Sequence, residues 1–89
     1  MPTVRWSDQA IADLDAVRRY IMPHNKSAAL RLASRITEAA EKLGDFPNRG
    51  REIGDSMRQL SLIYPYLIRY RVESTEVVII AIRHGARDG

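Results

Sequence analysis

The chain has 89 residues, a formal net charge of +3 and ordinary apolar and charged contents of 45% and 28%. One domain spanning residues 1–89 is expected, and the complete lack of cysteine excludes disulfides, thiol nucleophiles and thiolate metal sites. His24 and His84 are too few for a zinc site, so no metal or cofactor is predicted. No stretch approaches the ~20 apolar residues of a membrane span and no apolar leader opens the chain, so a cytoplasmic protein without a membrane partner is expected.

The N-terminal half predicts one short strand and two helices. Thr3–Trp6 is rich in β-forming residues, and Ser7 follows at the position of a helix N-cap. The first helix is expected over residues 8–22, because apolar residues recur at spacings of three and four and Pro23 disfavours helical backbone before it. The second is expected over residues 26–43, ending before a glycine. Since about three residues join them, the two helices should form an antiparallel hairpin.

The C-terminal half predicts a loop and three strands. Residues 45–56 contain Pro47, Gly50 and Gly54, which favour a loop. Short connections then separate three β-type segments, so an antiparallel meander is expected. The predicted strands cover residues 58–62, 66–72 and 77–82.

The strand pattern predicts how the sheet is covered. In the middle strand, apolar residues alternate with Leu67, Arg69 and Arg71, which is typical of a sheet with helices on one face only. The last strand is apolar on both faces and should be central. The predicted fold class is α+β in two layers: an N-terminal strand, an antiparallel helical hairpin and a three-stranded antiparallel meander.

The basic residues favour an anionic partner. All 14 of them except Lys26 and Lys42 are arginines. The planar guanidinium group presents a fixed fork of donors that suits phosphates and carboxylates.

The order of elements and several motifs resemble the RelE/ParE superfamily of bacterial type II toxins. The resemblance spans essentially the whole chain. It implies a toxin that forms a heteromeric complex with a cognate antitoxin. RelE-like members cut messenger RNA on the ribosome, and ParE-like members poison DNA gyrase. The matching residues are Trp6-Ser7 before Asp13-Leu14-Asp15, Phe46-Pro47 before Gly50-Arg51, Arg58, Tyr66 with Tyr70-Arg71-Val72, and His84-Gly85-Ala86-Arg87-Asp88.

The RelE-like pattern of basic residues is incomplete in this chain. Arg58 matches a basic position on the second predicted strand, but Leu60 and Leu62 follow where the nuclease pattern has cations. Leu67 stands where the pattern has an arginine, and no C-terminal tyrosine is present. Loss of one oriented donor typically costs about 10²–10³ in rate, so the gap weighs against RNA cleavage.

A divergent ribonuclease is the alternative that the residues leave open. Glu52 would act as base and His84 as acid, while Arg58 or Arg83 would hold the phosphate and Arg87 would clamp it. Three of them also have a structural interpretation: an exposed loop carboxylate for Glu52, a strand-end residue bonded to backbone for His84, and a salt bridge for Arg58.

The ParE-like branch is favoured, because it needs a folded binding surface and no catalytic set. The tyrosine-rich strand and the His84-Gly85-Ala86-Arg87 ending resemble that branch. A non-toxic nucleic-acid-binding domain is a further alternative, although a charge of +3 is small for it.

An antitoxin-binding surface is predicted on the uncovered sheet face. Arg69 and Arg71 on that face, Arg83 at the basic edge of the last strand, and the groove beside the first helix would suit an acidic, amphipathic peptide, bound by helix docking or by strand addition. Trp6 and Tyr20 are candidate anchors, since large aromatic side chains dominate such interfaces, and core packing is the alternative for both.

Overall fold

A five-stranded sheet with two helices on one face forms the architecture. The computed structural model describes residues 3–85, and the strand order is β1-β5-β4-β3-β2. Strands β1 and β5 are parallel, and the other neighbours are antiparallel. The predicted fold class is thereby confirmed. The elements are β1 Thr3–Trp6, α1 Asp8–Ile21, α2 Lys26–Glu41, a 3-10 turn Lys42–Gly44, β2 Arg51–Gly54, β3 Met57–Ile63, β4 Tyr66–Val72 and β5 Glu76–His84.

Side-chain caps start both helices. The Ser7 hydroxyl accepts a hydrogen bond from the Ala10 N–H at 3.0 Å, and the Asn25 side chain accepts one from the Ala28 N–H at 2.9 Å. Such caps satisfy N–H groups that have no partner inside the helix. Helix α1 ends one residue earlier than predicted, at Ile21. The second helix ends as α-helix at Glu41 and continues as the 3-10 turn, a common tightening of a last turn.

The core lies between the helices and one face of the sheet. Helix α2 contributes the buried residues Ala29, Ile36 and Ala40, whose small alanines allow close approach to the sheet. Burying each large apolar side chain contributes about 1.5–3 kcal/mol relative to exposure. The largest fully buried side chains are Tyr70, Ile36, Leu43, Ile68, Ile79 and Val77.

The prediction that residues 45–56 form only a loop is wrong, because Arg51–Gly54 is the edge strand β2. It pairs with β3 through Arg51 opposite Gln59 and Glu52 opposite Arg58. A two-residue turn joins the strands, and both Asp55 and Ser56 have positive φ, 53° and 60°. Turns of this kind match the twist of a hairpin. The meander therefore has four strands rather than three.

Strand β5 is central as predicted, and helix α1 is tied to its backbone. The register with β4 shifts between Arg69 and Tyr70. Near this shift, the Ser7 hydroxyl donates to the Ile80 carbonyl at 2.8 Å, and the Ile82 N–H donates to the Asp13 carboxylate at 3.0 Å. Beyond Trp6, these side chains bond backbone groups of β5 where strand β1 has already ended.

Candidate functional site

The open sheet face is the surface opposite the helices. On β4, Ile68 and Tyr70 point into the core at 2% and 0% exposure, so the alternating residues point the other way. Cross-strand pairing places Arg51 beside Gln59 and Gln59 beside Arg69 on that same side. The open sheet face is defined here by Arg51, Ile53, Met57, Gln59, Leu67, Arg69, Arg71 and Arg83.

A row of polar side chains crosses this face. Gln59 is buried at 8% exposure, and its Oε1 accepts a hydrogen bond from Arg69 Nε at 3.0 Å. This bond holds the guanidinium group of Arg69 in place. Arg51 lies two strands from Arg69, about 10 Å away at the usual strand spacing. Two cations at that distance attract an anionic group placed between them.

Apolar side chains lie between the arginines. Ile53, Met57 and Leu67 line one cleft together with Arg51 and Arg69. A surface that combines apolar area with fixed positive charge fits an amphipathic, acidic segment better than it fits a purely polar ligand.

The two predicted aromatic anchors lie away from the open sheet face. Trp6 pairs in register with Ile79, packs against the core, and donates from Nε1 to Glu41 at 3.0 Å. Tyr20 is 61% exposed on helix α1 and lines a groove that also contains His84. The structure thus brings neither aromatic residue next to Arg69 and Arg71.

Arg58 on strand β3 is held by the loop that precedes β2. Its Nη1 donates to the Gly50 carbonyl at 2.7 Å and to the Asn48 carbonyl at 3.3 Å. Its Nη2 lies 3.2 Å from the carboxylate of Glu52, which is strongly exposed. The structure therefore brings Arg58 and Glu52 together, with Arg58 in contact with protein oxygens.

His84 lies at the other end of the sheet from that pair. Its ring makes an edge contact with Tyr66, with centroids 5.2 Å apart, and its Nδ1 is buried without a hydrogen-bond partner in the described range 3–85. His84 pairs with Tyr66 and Arg58 pairs with Tyr70, so four residues of β4, about 13 Å, separate them along the strand.

The other two candidate phosphate contacts have different positions. Arg83 is exposed and pairs with Leu67, which places it on the open sheet face rather than beside Arg58. Arg87 lies outside the described residues. Within residues 3–85, the structure consequently does not gather the candidate base, acid and cations around one reacting phosphate.

Tyr70 locks the loop before β2 in place from the core side, through two hydrogen bonds of its hydroxyl. Its hydroxyl accepts from the Gly50 N–H at 2.7 Å and donates to the Pro47 carbonyl at 2.8 Å. A Cβ at position 50 would lie 2.7 Å from that hydroxyl, so glycine allows this approach. Burial raises the pKa of the Tyr70 hydroxyl, while the Gly50 N–H and the charge of Arg58 act in the opposite direction.

The described residues offer neither a metal site nor a membrane-spanning helix. Within residues 3–85, no group of three or more His, Cys, Asp or Glu side chains could hold a metal ion. No helix in that same range has the length and apolarity to cross a membrane.

Sequence reasoning missed two parts of the site. Arg51 belongs to the open sheet face only because β2 is a strand, and Ile53 is the one strong β-forming residue within Arg51–Gly54. The Tyr70 lock joins residues 20 positions apart, and no local pattern marks it.

Comparison with known proteins gives a consistent family. Residues 4–89 match the family described as ParE toxin of type II toxin–antitoxin system, parDE. Toxin RelE2 of Caulobacter vibrioides is 44% identical over 87 residues, covering 98% of this chain and 99% of the relative. Putative toxin Y4kP of Sinorhizobium fredii is 36% identical over 83 residues, covering 91% and 85%.

Solved structures agree with this result. A chain of the chromosomal ParDE system of P. aeruginosa matches with a TM-score of 0.85 at 27% identity, covering 94% of this chain and 96% of that one. The RelBE2 complex of Mycobacterium tuberculosis matches with a TM-score of 0.72 at 23% identity, covering 94% and 99%, and shows the shared fold. The chain therefore belongs to the ParE toxins of type II toxin–antitoxin systems, within the RelE/ParE superfamily.

Proposed function

We propose that this toxin inhibits DNA gyrase by binding it, and that a cognate antitoxin neutralises the toxin from the open sheet face. The match to the family described by the parDE system supports the gyrase branch. Gyrase acts on DNA in the cytoplasm, so the proposal places the toxin there. Because uncontrolled inhibition of gyrase would arrest growth, the toxin is proposed to form a heteromeric complex with its antitoxin.

The separation of the candidate catalytic groups is the observation that carries the choice of branch. A base and an acid must both reach the same phosphate, within hydrogen-bond distance or through one water. Glu52 lies at the β2 edge beside Arg58, whereas His84 lies about 13 Å further along the sheet. Arg58 already contacts two carbonyl oxygens. This arrangement favours action by binding over cleavage of RNA.

The open sheet face supports the antitoxin part of the proposal. Arg51 and Arg71 form no ion pair with any residue in the described range, and Gln59 orients Arg69. An acidic segment with apolar residues on one side would pair with these cations and cover Met57 and Leu67.

A RelE-like ribonuclease is the second candidate, because several curated relatives carry RelE names. One experiment separates the two. Purified toxin is added to gyrase in a supercoiling assay and, separately, to ribosomes translating a defined transcript. The proposal predicts lost supercoiling or trapped cleaved DNA, with an intact transcript. Codon-specific cuts in the transcript with normal supercoiling would overturn it in favour of the ribonuclease.

A further inference from the structure

A second exposed surface lies on the helix side of the sheet, at the end of α2. We call it the Phe46 surface and define it by Arg35, Phe46, Arg49 and Leu62. Phe46 is 62% exposed and Leu62 is 50% exposed. One cleft is lined by Phe46 and Arg49, and a second is lined by Arg35, Arg49 and Leu62. Because both clefts share Arg49, the four residues form one continuous surface.

The charge of this surface is positive and largely unneutralised. Lys42 beside it pairs with Glu38 at 3.4 Å. Arg35 and Arg49 form no ion pair and no side-chain hydrogen bond within the part of the chain that the structure describes. Both are exposed. Two free guanidinium groups next to exposed apolar side chains complement a segment that carries acidic and apolar residues together.

Hydrogen bonds also hold the backbone of the loop that carries Phe46 and Arg49. The Phe46 N–H donates to the Lys42 carbonyl at 3.1 Å, and the Arg49 N–H donates to the Phe46 carbonyl at 3.2 Å. The Tyr70 hydroxyl holds the Pro47 carbonyl from the core side. A loop backbone held in this way loses little conformational freedom on binding, and this favours affinity.

We infer that the Phe46 surface docks an acidic, amphipathic segment of the toxin's protein target, an inference that rests on the proposed function. A toxin that acts by binding needs a surface for its target, and the open sheet face on the other side of the sheet is assigned to the antitoxin. Aliphatic Leu62 and Ala39, together with the carboxylate of Glu38, line the cleft. They suit a protein segment better than the phosphates of a nucleic acid.

The test compares two variants with matched controls against purified DNA gyrase and purified antitoxin. Phe46→Ala removes the exposed ring, and Arg49→Glu inverts one free cation. Leu30→Ala, at a residue 45% exposed on α2, and Arg31→Glu are the controls. Each test variant should raise the toxin concentration needed for half-inhibition of supercoiling by at least about 10-fold, the loss typical of an interface anchor. Antitoxin affinity and thermal midpoint should stay as in the controls.

Four outcomes would overturn the inference. If wild-type toxin inhibits gyrase and both variants inhibit it with the same potency, the gyrase function stands but the Phe46 surface does not bind gyrase. Equal loss of antitoxin affinity would assign the surface to the antitoxin. If wild-type toxin arrests growth but leaves gyrase active, the gyrase proposal fails by itself. In that case, growth arrest by both variants at the wild-type level would show that the Phe46 surface does not bind the target. If both variants instead bind single-stranded RNA more weakly than wild type does, the surface would be assigned to nucleic acid.

Discussion

The hydroxyl of Tyr70 accepts a hydrogen bond from the Gly50 N–H at 2.7 Å, and this contact joins strand β4 to the loop that precedes β2. The same hydroxyl donates to the Pro47 carbonyl at 2.8 Å. Both the Phe46 surface and Arg58 are attached to this loop. Stability and binding geometry therefore depend on one buried side chain.

Tyr70→Phe should lower the free energy of unfolding by about 1–3 kcal/mol, because the buried Gly50 N–H loses its acceptor and Pro47 loses its donor. Tyr64→Phe is the control, since that side chain is 90% exposed and should change little. Urea unfolding of both variants gives the measurement. Equal stability of the two would show that the lock contributes nothing.

Alkaline pH should weaken the fold through the same residue. The pKa of Tyr70 is raised by burial in the folded state, so below the ordinary value of 10.0 its stabilising effect is fully present. As pH rises further, the unfolded chain ionises first and the folded state loses stability. As pH rises above about 10, wild type should therefore lose stability more steeply than Tyr70→Phe. Parallel profiles for the two proteins would refute this assignment.

The β2–β3 turn offers a stabilising substitution. Asp55 and Ser56 both have positive φ, which costs a residue with a Cβ about 1–2 kcal/mol relative to glycine. Ser56→Gly should raise the free energy of unfolding by about 1 kcal/mol, because glycine is preferred at this turn position. Ser61→Gly within β3 is the matched control and should destabilise, as glycine weakens strands. A destabilised Ser56→Gly protein would contradict the turn assignment.

The two candidate proton-transfer residues should prove dispensable. Glu52→Gln and His84→Gln should each inhibit gyrase supercoiling and arrest growth as wild type does, because neither belongs to the proposed binding surfaces. In a ribonuclease, removal of either acid or base would reduce the rate by about 10²–10⁴. Loss of growth arrest in both variants, with unchanged folding by circular dichroism, would support the catalytic alternative.

The sequence predicted the elements whose patterns are long and regular. Both helices and strands β4 and β5 carry apolar repeats over seven or more residues. Strand β2 was missed, because four residues with two charges and a glycine give little β-type signal, and an edge strand needs little apolar character.

The details of the site depended on contacts that no local pattern records. Arg58 was a candidate phosphate ligand in the sequence, but in the structure it donates to the Gly50 and Asn48 carbonyls, which the pairing of β2 with β3 places next to it. In contrast, the alternation around Arg69 and Arg71 was sufficient to place both side chains on the uncovered face. Regular periodicity therefore predicted which sheet face carries Arg69 and Arg71. Strand pairing determined which groups each arginine contacts.

The most direct measurement of the central claim is the dissociation constant between antitoxin and the double variant Arg69→Glu, Arg71→Glu. The control is Arg19→Glu with Arg31→Glu, which changes the total charge equally on the helix side. If the open sheet face binds an acidic antitoxin segment, the first pair should weaken binding by at least about 30-fold, from the ~2–5 kcal/mol that inverted charges cost at such an interface. The control pair should bind within about 3-fold of wild type, the size expected for remote surface charges. Equal dissociation constants for the two double variants would contradict the account.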